Sequence, residues 1–190
     1  MIIVDRITME YEKFRNKIVG LQSDLNLFKV EFLDRDGFKQ FADCLPDNVN
    51  GYHEVCITGY FSETIRDKLE RIIEIRQNVR LICPEFPLQS KRDRRNLQAL
   101  KRLALAGAKI KVNSRLHARF LVAHNPAIRR GLLVVGSFDF NTECIGKERY
   151  DAGIKTRHPD LVESAIKLFE QIWNEPESIS LEDFIKKEKS

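Results

Sequence analysis

The apolar positions of this chain change period along its length. Ile7, Tyr11, Phe14, Ile18, Leu21 and Leu25 recur at alternating spacings of four and three. That is the stripe of an amphipathic helix, close to a heptad seam, weakened near its end by Gly20. From there the period shortens. "LFKVEF" (27–32) alternates as a strand does, and "DGFKQFADCL" predicts a short helix entered through Asp36. "PDNVNGY" (46–52) has turn chemistry throughout. "EVCITGYF" (54–61) reads as a buried strand, ending where Ser62 can cap a helix over 63–77.

The alternation then continues. A strand at 79–83 precedes a loop marked by Pro84 and Pro87, and a helix over 90–107 has Gly107 as its stop signal. Strands follow at 108–112, 117–123, 132–138 and 150–156, with 117–123 and 132–138 forming a hairpin across "HNPAIRRG". A closing helix over 160–173 would bury Leu161, Ala165, Leu168, Phe169 and Ile172. "LEDFIKKEKS" then reads as a short helix fraying into a charged tail. The pattern predicts an α/β fold, a layered mixed β-sheet flanked by helices. It divides into an N-terminal helical extension (1–26), one domain (27–176) and a charged C-terminal tail (177–190). No internal repeat is present, so any site occurs once.

Composition narrows the function classes. A chain of 190 residues can bury one substantial core, and no apolar run approaches the ~20 residues of a membrane helix. The N-terminus is too acidic and too briefly apolar for a secretory signal. A cytoplasmic protein without integral membrane association is expected. Cys44, Cys56, Cys83 and Cys144 are widely spaced with no CxxC, which predicts buried free thiols and no metal or other cofactor.

Charge is distributed unevenly. Between Lys91 and Arg119 there are ten basic residues against one acid, Asp93, leaving the remainder of a +4 chain at net −5. Lys91, Arg92, Arg94, Arg95, Lys101, Arg102 and Arg115 are candidate nucleic-acid contacts, because such asymmetry is the footprint of a polyanion-binding face. A solvated helix surface is the plain alternative.

Candidate chemistry lies where strands present polar residues that packing does not require. His117 and Arg119, two apart, would share one strand face, and Ser137 and Asp139 would do the same on its neighbour. Asp151 opens the next strand. A histidine, a guanidinium, a hydroxyl and carboxylates suit a phosphate ester: cation and hydroxyl hold oxygens, and the imidazole attacks or protonates.

Over approximately residues 27–175 the chain resembles the phospholipase D superfamily. That family carries HxK, an Asp five residues past the Lys, GSxN, an acidic residue in a later strand, and a helix ending in Trp. Matching positions here are His117-Ala118-Arg119, His124 at the Asp position, Gly136-Ser137-Phe138-Asp139, Asp151 in "RYDAGI", and "HPDLVESAIKLFEQIW". "ITGYFS", "VRLIC" and "GAKIKV" also match, in order. The resemblance implies a metal-independent, two-step phosphodiesterase acting through a phosphohistidine, its second histidine coming from another half-site. With one motif, that means a homodimer in which His117 faces its counterpart. It further implies that Asp151 orients His117.

The departures bear on activity. Arg119 keeps a cation that can grip phosphate bidentately. His124 replaces an Asp that tyrosyl-DNA phosphodiesterases of this superfamily also lack. Asp139 replaces a neutral amide; at ~4 Å from a phosphate its charge would cost about 4 kcal/mol at an effective dielectric of 20. Three readings stay open: a nuclease, a non-catalytic module binding nucleic acid or phosphate-bearing ligands, and a surface reader of anionic lipid. His124 is expected to hydrogen-bond across the hairpin, with phosphate binding as a second imidazole the alternative, and His53 and His158 to lie at the surface. Tyr60 and Phe61, which could stack on a base, are expected to pack in the core, and Trp173 to close the last helix over the sheet.

Overall fold

A computed structural model describes residues 30–61, 63–75, 78–128, 130–137 and 151–188. The elements, in order, are β1 (Glu31–Leu33), α1 (Arg35–Asp43), α2 (Leu45–Asn48), β2 (Glu54–Thr58), α3 (Glu63–Glu74), β3 (Asn78–Pro84) and α4 (Lys91–Ala106). There follow β4 (Lys109–Asn113), β5 (Phe120–Asn125), β6 (Arg130–Gly136), β7 (Gly153–Thr156), α5 (Pro159–Asn174), β8 (Ser178–Ser180) and α6 (Leu181–Lys187). The strands form one mixed sheet in the order β1-β7-β6-β5-β2-β3-β4-β8. Only β2, β3 and β4 run parallel to their neighbours in that set; every other pairing is antiparallel.

The period-two pattern of the strands produces two cores. Val55, Ile57, Val79, Leu81, Val112, Leu121 and Val134 face a layer built from α1 to α4 and α6. Cys56, Ile82, Phe120, Val122 and Leu133 face α5, which contributes Val162, Ala165 and Phe169. Where α5 crosses β6, Gly131 has no room for a side chain: a Cβ there would overlap Val162 Cγ1.

Helix ends follow capping chemistry. Ser90 Oγ accepts from the Asp93 N–H at 3.0 Å, and Gly107 ends α4 with φ of 115°. At α1 the cap is Asp34, accepting from the Gly37 N–H at 2.8 Å, rather than Asp36. Asp36 sits in the first turn, where its charge favours the helix dipole without capping it.

Other expectations are corrected. Residues 45–48 form a turn of helix, with Pro46 in its first positions, inside the expected loop. Leu161 and Leu168 remain open to solvent, and Val162, Ala165 and Phe169 take the buried line. Cys56 and Cys83 are buried, but Cys44 is exposed. Residues 178–187 are no tail: β8 pairs with β4, and Leu181 and Phe184 of α6 are buried. The stripe from Ile7 to Leu25, Ser62 and Cys144 lie outside the described residues.

Candidate active site

The parallel strands β2, β3 and β4 end together, and their carboxyl ends border a cleft of about 300 Å³. Ligands of α/β sheets characteristically sit at such ends. Gly59 and Tyr60 follow β2, Pro84 and Glu85 close β3, Ser114 follows β4, and Leu116, His117, Ala118 and Arg119 complete the wall.

Asn113 sets the turn that delivers His117. Its buried amide donates to Ser178 Oγ at 2.7 Å while its carbonyl oxygen accepts from the Arg115 N–H at 2.8 Å. His117 and Arg119 are therefore not strand residues. β2 ends at Thr58, opposite Phe120, and its chain turns away at Gly59 (φ 139°), so the β2–β5 ladder stops at Phe120. Thr58 Oγ1, fully buried, accepts from the Phe120 N–H at 3.0 Å and pins the start of β5. His117 is exposed and Arg119 half-buried on the cleft wall.

On the other side the alignment continues. The Gly136 N–H donates to Arg119 O at 3.3 Å, and the Ser137 N–H to Ala152 O at 3.1 Å. Ser137 Oγ donates to Asp151 Oδ1 at 2.7 Å and accepts from the Ala152 N–H at 3.2 Å. The structure thus brings Ser137 and Asp151 into direct contact and sets them beside the Arg119 backbone. Asp151, two residues before β7 rather than within a strand, bonds to Ser137, and no bond to His117 occurs among the described residues. Asp139 lies outside the described residues.

The basic run divides. α4 starts at the cleft end of the sheet, so Lys91, Arg94 and Arg95 lie near it; Arg92 belongs to the same turn. Lys101 and Arg102 follow about 15 Å further along the helix. Lys91, Arg94, Arg95, Lys101 and Arg102 are all exposed. Arg115 is committed to Glu177 at 2.7 Å, an exposed pair whose hydrogen bond raises the guanidinium pKa. Lys187 likewise holds Glu85, on the cleft wall, at 2.7 Å.

A second polar cluster occupies the far end of the sheet. His124 bonds to β2 rather than across the hairpin: its Nε2 donates to Glu54 Oε2 at 2.8 Å, Arg80 Nε donates to Glu54 Oε1 at 2.7 Å, and the Arg80 guanidinium also pairs with Glu170 on α5. Burial pushes the Glu54 carboxyl up, but hydrogen bonds from His124 and Arg80 outweigh it and hold the group below its usual range. Glu54, Cys56 and His124 offer donors within 4.8 Å of one another. Arg80 already supplies the cation there, and burial pushes the Cys56 thiol up to about 12, so these donors are a poor fit for a metal.

A mixed sheet covered by helices on both faces, with a histidine and an arginine at the mouth formed by its parallel strands, defines a phospholipase D-like domain. Residues 52–173 match the family model described as cardiolipin synthase, PLD-like domain. The protein belongs to the phospholipase D-like family.

Solved structures agree in fold. Nuc, a phospholipase D family member from Salmonella typhimurium, superposes with a TM-score of 0.62 at 14% identity, over 80% of this chain and 96% of its own. NucT from Helicobacter pylori gives 0.59 at 14% identity, over 80% and 99%. TrmBL2, an archaeal chromatin protein, gives 0.53 at 12% identity, over 93% and 68%. No curated protein matches the chain by sequence. Among the described residues, no helix is long and apolar enough to cross a membrane.

Proposed function

We propose that the protein is a divergent phosphodiesterase of this family, a nuclease, with His117 as its nucleophile. The observation that carries the reading is the exposed His117 imidazole on the cleft wall, with Arg119 beside it and the Ser137–Asp151 pair aligned alongside. An imidazole nitrogen attacks phosphorus and the bond to the leaving oxygen breaks. The His117 of a second copy protonates that oxygen, and water then hydrolyses the phosphohistidine. Arg119 holds non-bridging oxygens, and the Ser137 hydroxyl, its one proton given to Asp151, keeps that carboxylate in place; if Asp139 faces the same phosphate, its charge weakens the hold. The nucleophile comes from the protein, so the scheme routes no step through a metal.

Nucleic acid is favoured as substrate by the basic residues of α4, since repeated phosphate contacts exploit counterion release. TrmBL2, of the same fold, is a DNA-binding protein.

A homodimer is supported by an apolar row beside the cleft. Phe120, Val135, Ile154 and Phe32 stand in register across β5, β6, β7 and β1 on the α5 side of the sheet. Phe120 is buried, Val135 and Ile154 are half-buried, and Phe32 is 69% exposed. Leu161 and Leu168 are open on the flank of α5 opposite Glu170. A second copy covering this surface would bring the two clefts towards each other.

The test is hydrolysis of bis(p-nitrophenyl) phosphate and labelled single-stranded DNA, with EDTA present, by wild type and His117→Ala. Turnover that disappears in the variant supports the reading. A phosphate-binding module without catalysis is the second reading, favoured by the bond that draws Asp151 to Ser137 instead of His117. Salt-sensitive DNA binding by both proteins, with no turnover by either, would select it.

A further inference from the structure

Two adjacent aromatic residues follow β2 in opposite environments. Phe61 is 3% exposed and belongs to the core, whereas Tyr60 is 37% exposed. Gly59, at a φ that side-chain-bearing residues rarely adopt, makes the turn between β2 and Tyr60. Tyr60 shares the cleft wall with Leu116, His117, Ala118 and Arg119. We propose that Tyr60 is a stacking platform for an unpaired base next to the scissile phosphate, and that the cleft takes single-stranded nucleic acid. The inference rests on the phosphodiesterase reading of the same cleft.

Chemistry across the cleft favours this class over other phosphates. The anion-binding groups on its wall are His117 and Arg119, while Glu85, on the same wall, is paired with Lys187. A phosphodiester carries one negative charge, and that inventory suits it. A polyphosphate chain, or a dianionic monoester, would bring two or more charges to one guanidinium and one imidazole. The uncharged parts of the wall, Tyr60, Pro84, Leu116 and Ala118, offer apolar surface to a neutral ring. Every base presents a π face, so stacking tolerates sequence while requiring that the base be unpaired. In a duplex the base is already stacked and cannot reach the tyrosine.

Lys91, Arg94 and Arg95 at the start of α4 then serve the backbone on the cleft side. These residues contribute salt dependence and carry no preference between strands. Strand selectivity falls to Tyr60.

The experiment uses the full chain and three fluorescein-labelled probes with phosphorothioate linkages to slow cleavage: a single strand, its duplex, and an abasic strand of equal length. Tyr60→Ala should weaken the single strand by about ten- to a hundredfold, which is the range for loss of one base–aromatic stack. It should leave the duplex and the abasic strand within about twofold, and Tyr60→Phe should bind like wild type. An unchanged single-strand affinity, or equal losses on the normal and abasic strands, overturns the inference. In that case turnover of bis(p-nitrophenyl) phosphate by wild type would leave the phosphodiesterase reading standing. A wild type that neither hydrolyses that diester nor binds any strand removes the reading, and the inference with it. Equal melting temperatures for the Tyr60 variants separate loss of a contact from loss of fold.

Discussion

Replacing Arg80 with Met should destabilise the fold by about 3 kcal/mol while sparing the cleft. Arg80 lies in β3 with its side chain 11% exposed, bonded through Nε to a Glu54 carboxylate that is 12% exposed. Removing one partner of such a pair strands the other charge, at a typical loss of about 3–5 kcal/mol. His124 and Asn78 still donate to Glu54, at 2.8 and 2.7 Å, which argues for the lower end. The second partner, Glu170, is 42% exposed, so its share is screened and adds at most about 1 kcal/mol. Met retains apolar contact with Phe169 and Trp173, whose rings the guanidinium overlies at 4.9 and 5.3 Å, but forfeits the cation–π attraction.

Urea unfolding followed by fluorescence suits the test, because Trp173 is the chain's single tryptophan and sits against Arg80. Glu54→Gln combined with Arg80→Met should recover part of the loss, with a coupling of at least about 1.5 kcal/mol. A single-variant loss below about 1 kcal/mol would refute the assignment of this cluster as the bond between α5 and the sheet. The cleft lies at the other end of β2, about 13 Å from Glu54, so activity per folded molecule should persist.

The same carboxylate sets an acid limb. Its folded pKa is depressed, so the stability it supplies is present above the ordinary value of 4.5 and is lost as pH falls through the lower folded value. Urea titrations at decreasing pH should show that decline, and Glu54→Gln should flatten it. Gly131→Ala should cost about 1–3 kcal/mol through overlap with Val162, and Val162→Ala in the same chain should restore part of it, as read by thermal melting. Thr58→Val leaves the buried Phe120 N–H without its 3.0 Å side-chain acceptor. It should cost about 1–3 kcal/mol and reduce turnover, because the His117–Arg119 segment hangs from that point. Phe32→Asp should lower the mass measured by light scattering if the apolar row is the two-fold face; an unchanged dimer would place that face elsewhere.

Most of the architecture was legible because the chain's periods are clean. The β3, α4 and β4 boundaries follow from an apolar run broken by Arg80, a serine cap and a glycine stop, all local features. What escaped depends on neighbours. The residues from Leu116 to Arg119 alternate like a strand, but strand pairing on one side ends with β2 at Thr58, a fact held in a segment more than fifty residues earlier. The apolar stripe of α5 is wide enough to offer two flanks, and the position of β6 decides that Val162 rather than Leu161 goes inward. Tyr60 and Phe61 are equivalent as letters; the backbone turn at Gly59 is what sends one into the core and the other to the cleft.

His124 shows how a motif position can change chemistry without changing the fold. The family's sequence pattern has an acid there, one β-strand's length from the histidine motif. Here the position holds an imidazole, and the carboxylate comes instead from Glu54, directly opposite on β2. Arg80 then supplies the charge that a buried carboxylate requires and carries it through to Glu170 on α5. This cluster gives His124 a structural role at the end of the sheet remote from the cleft. The substitutions that can alter chemistry are left at the cleft end, where Arg119 borders the wall with His117. Reversing Arg119 to Lys tests that division: turnover should rise while urea stability stays within about 0.5 kcal/mol, the usual range for a substitution outside the core. If stability falls and turnover does not rise, Arg119 is part of the framework and the catalytic assignment of this wall is wrong.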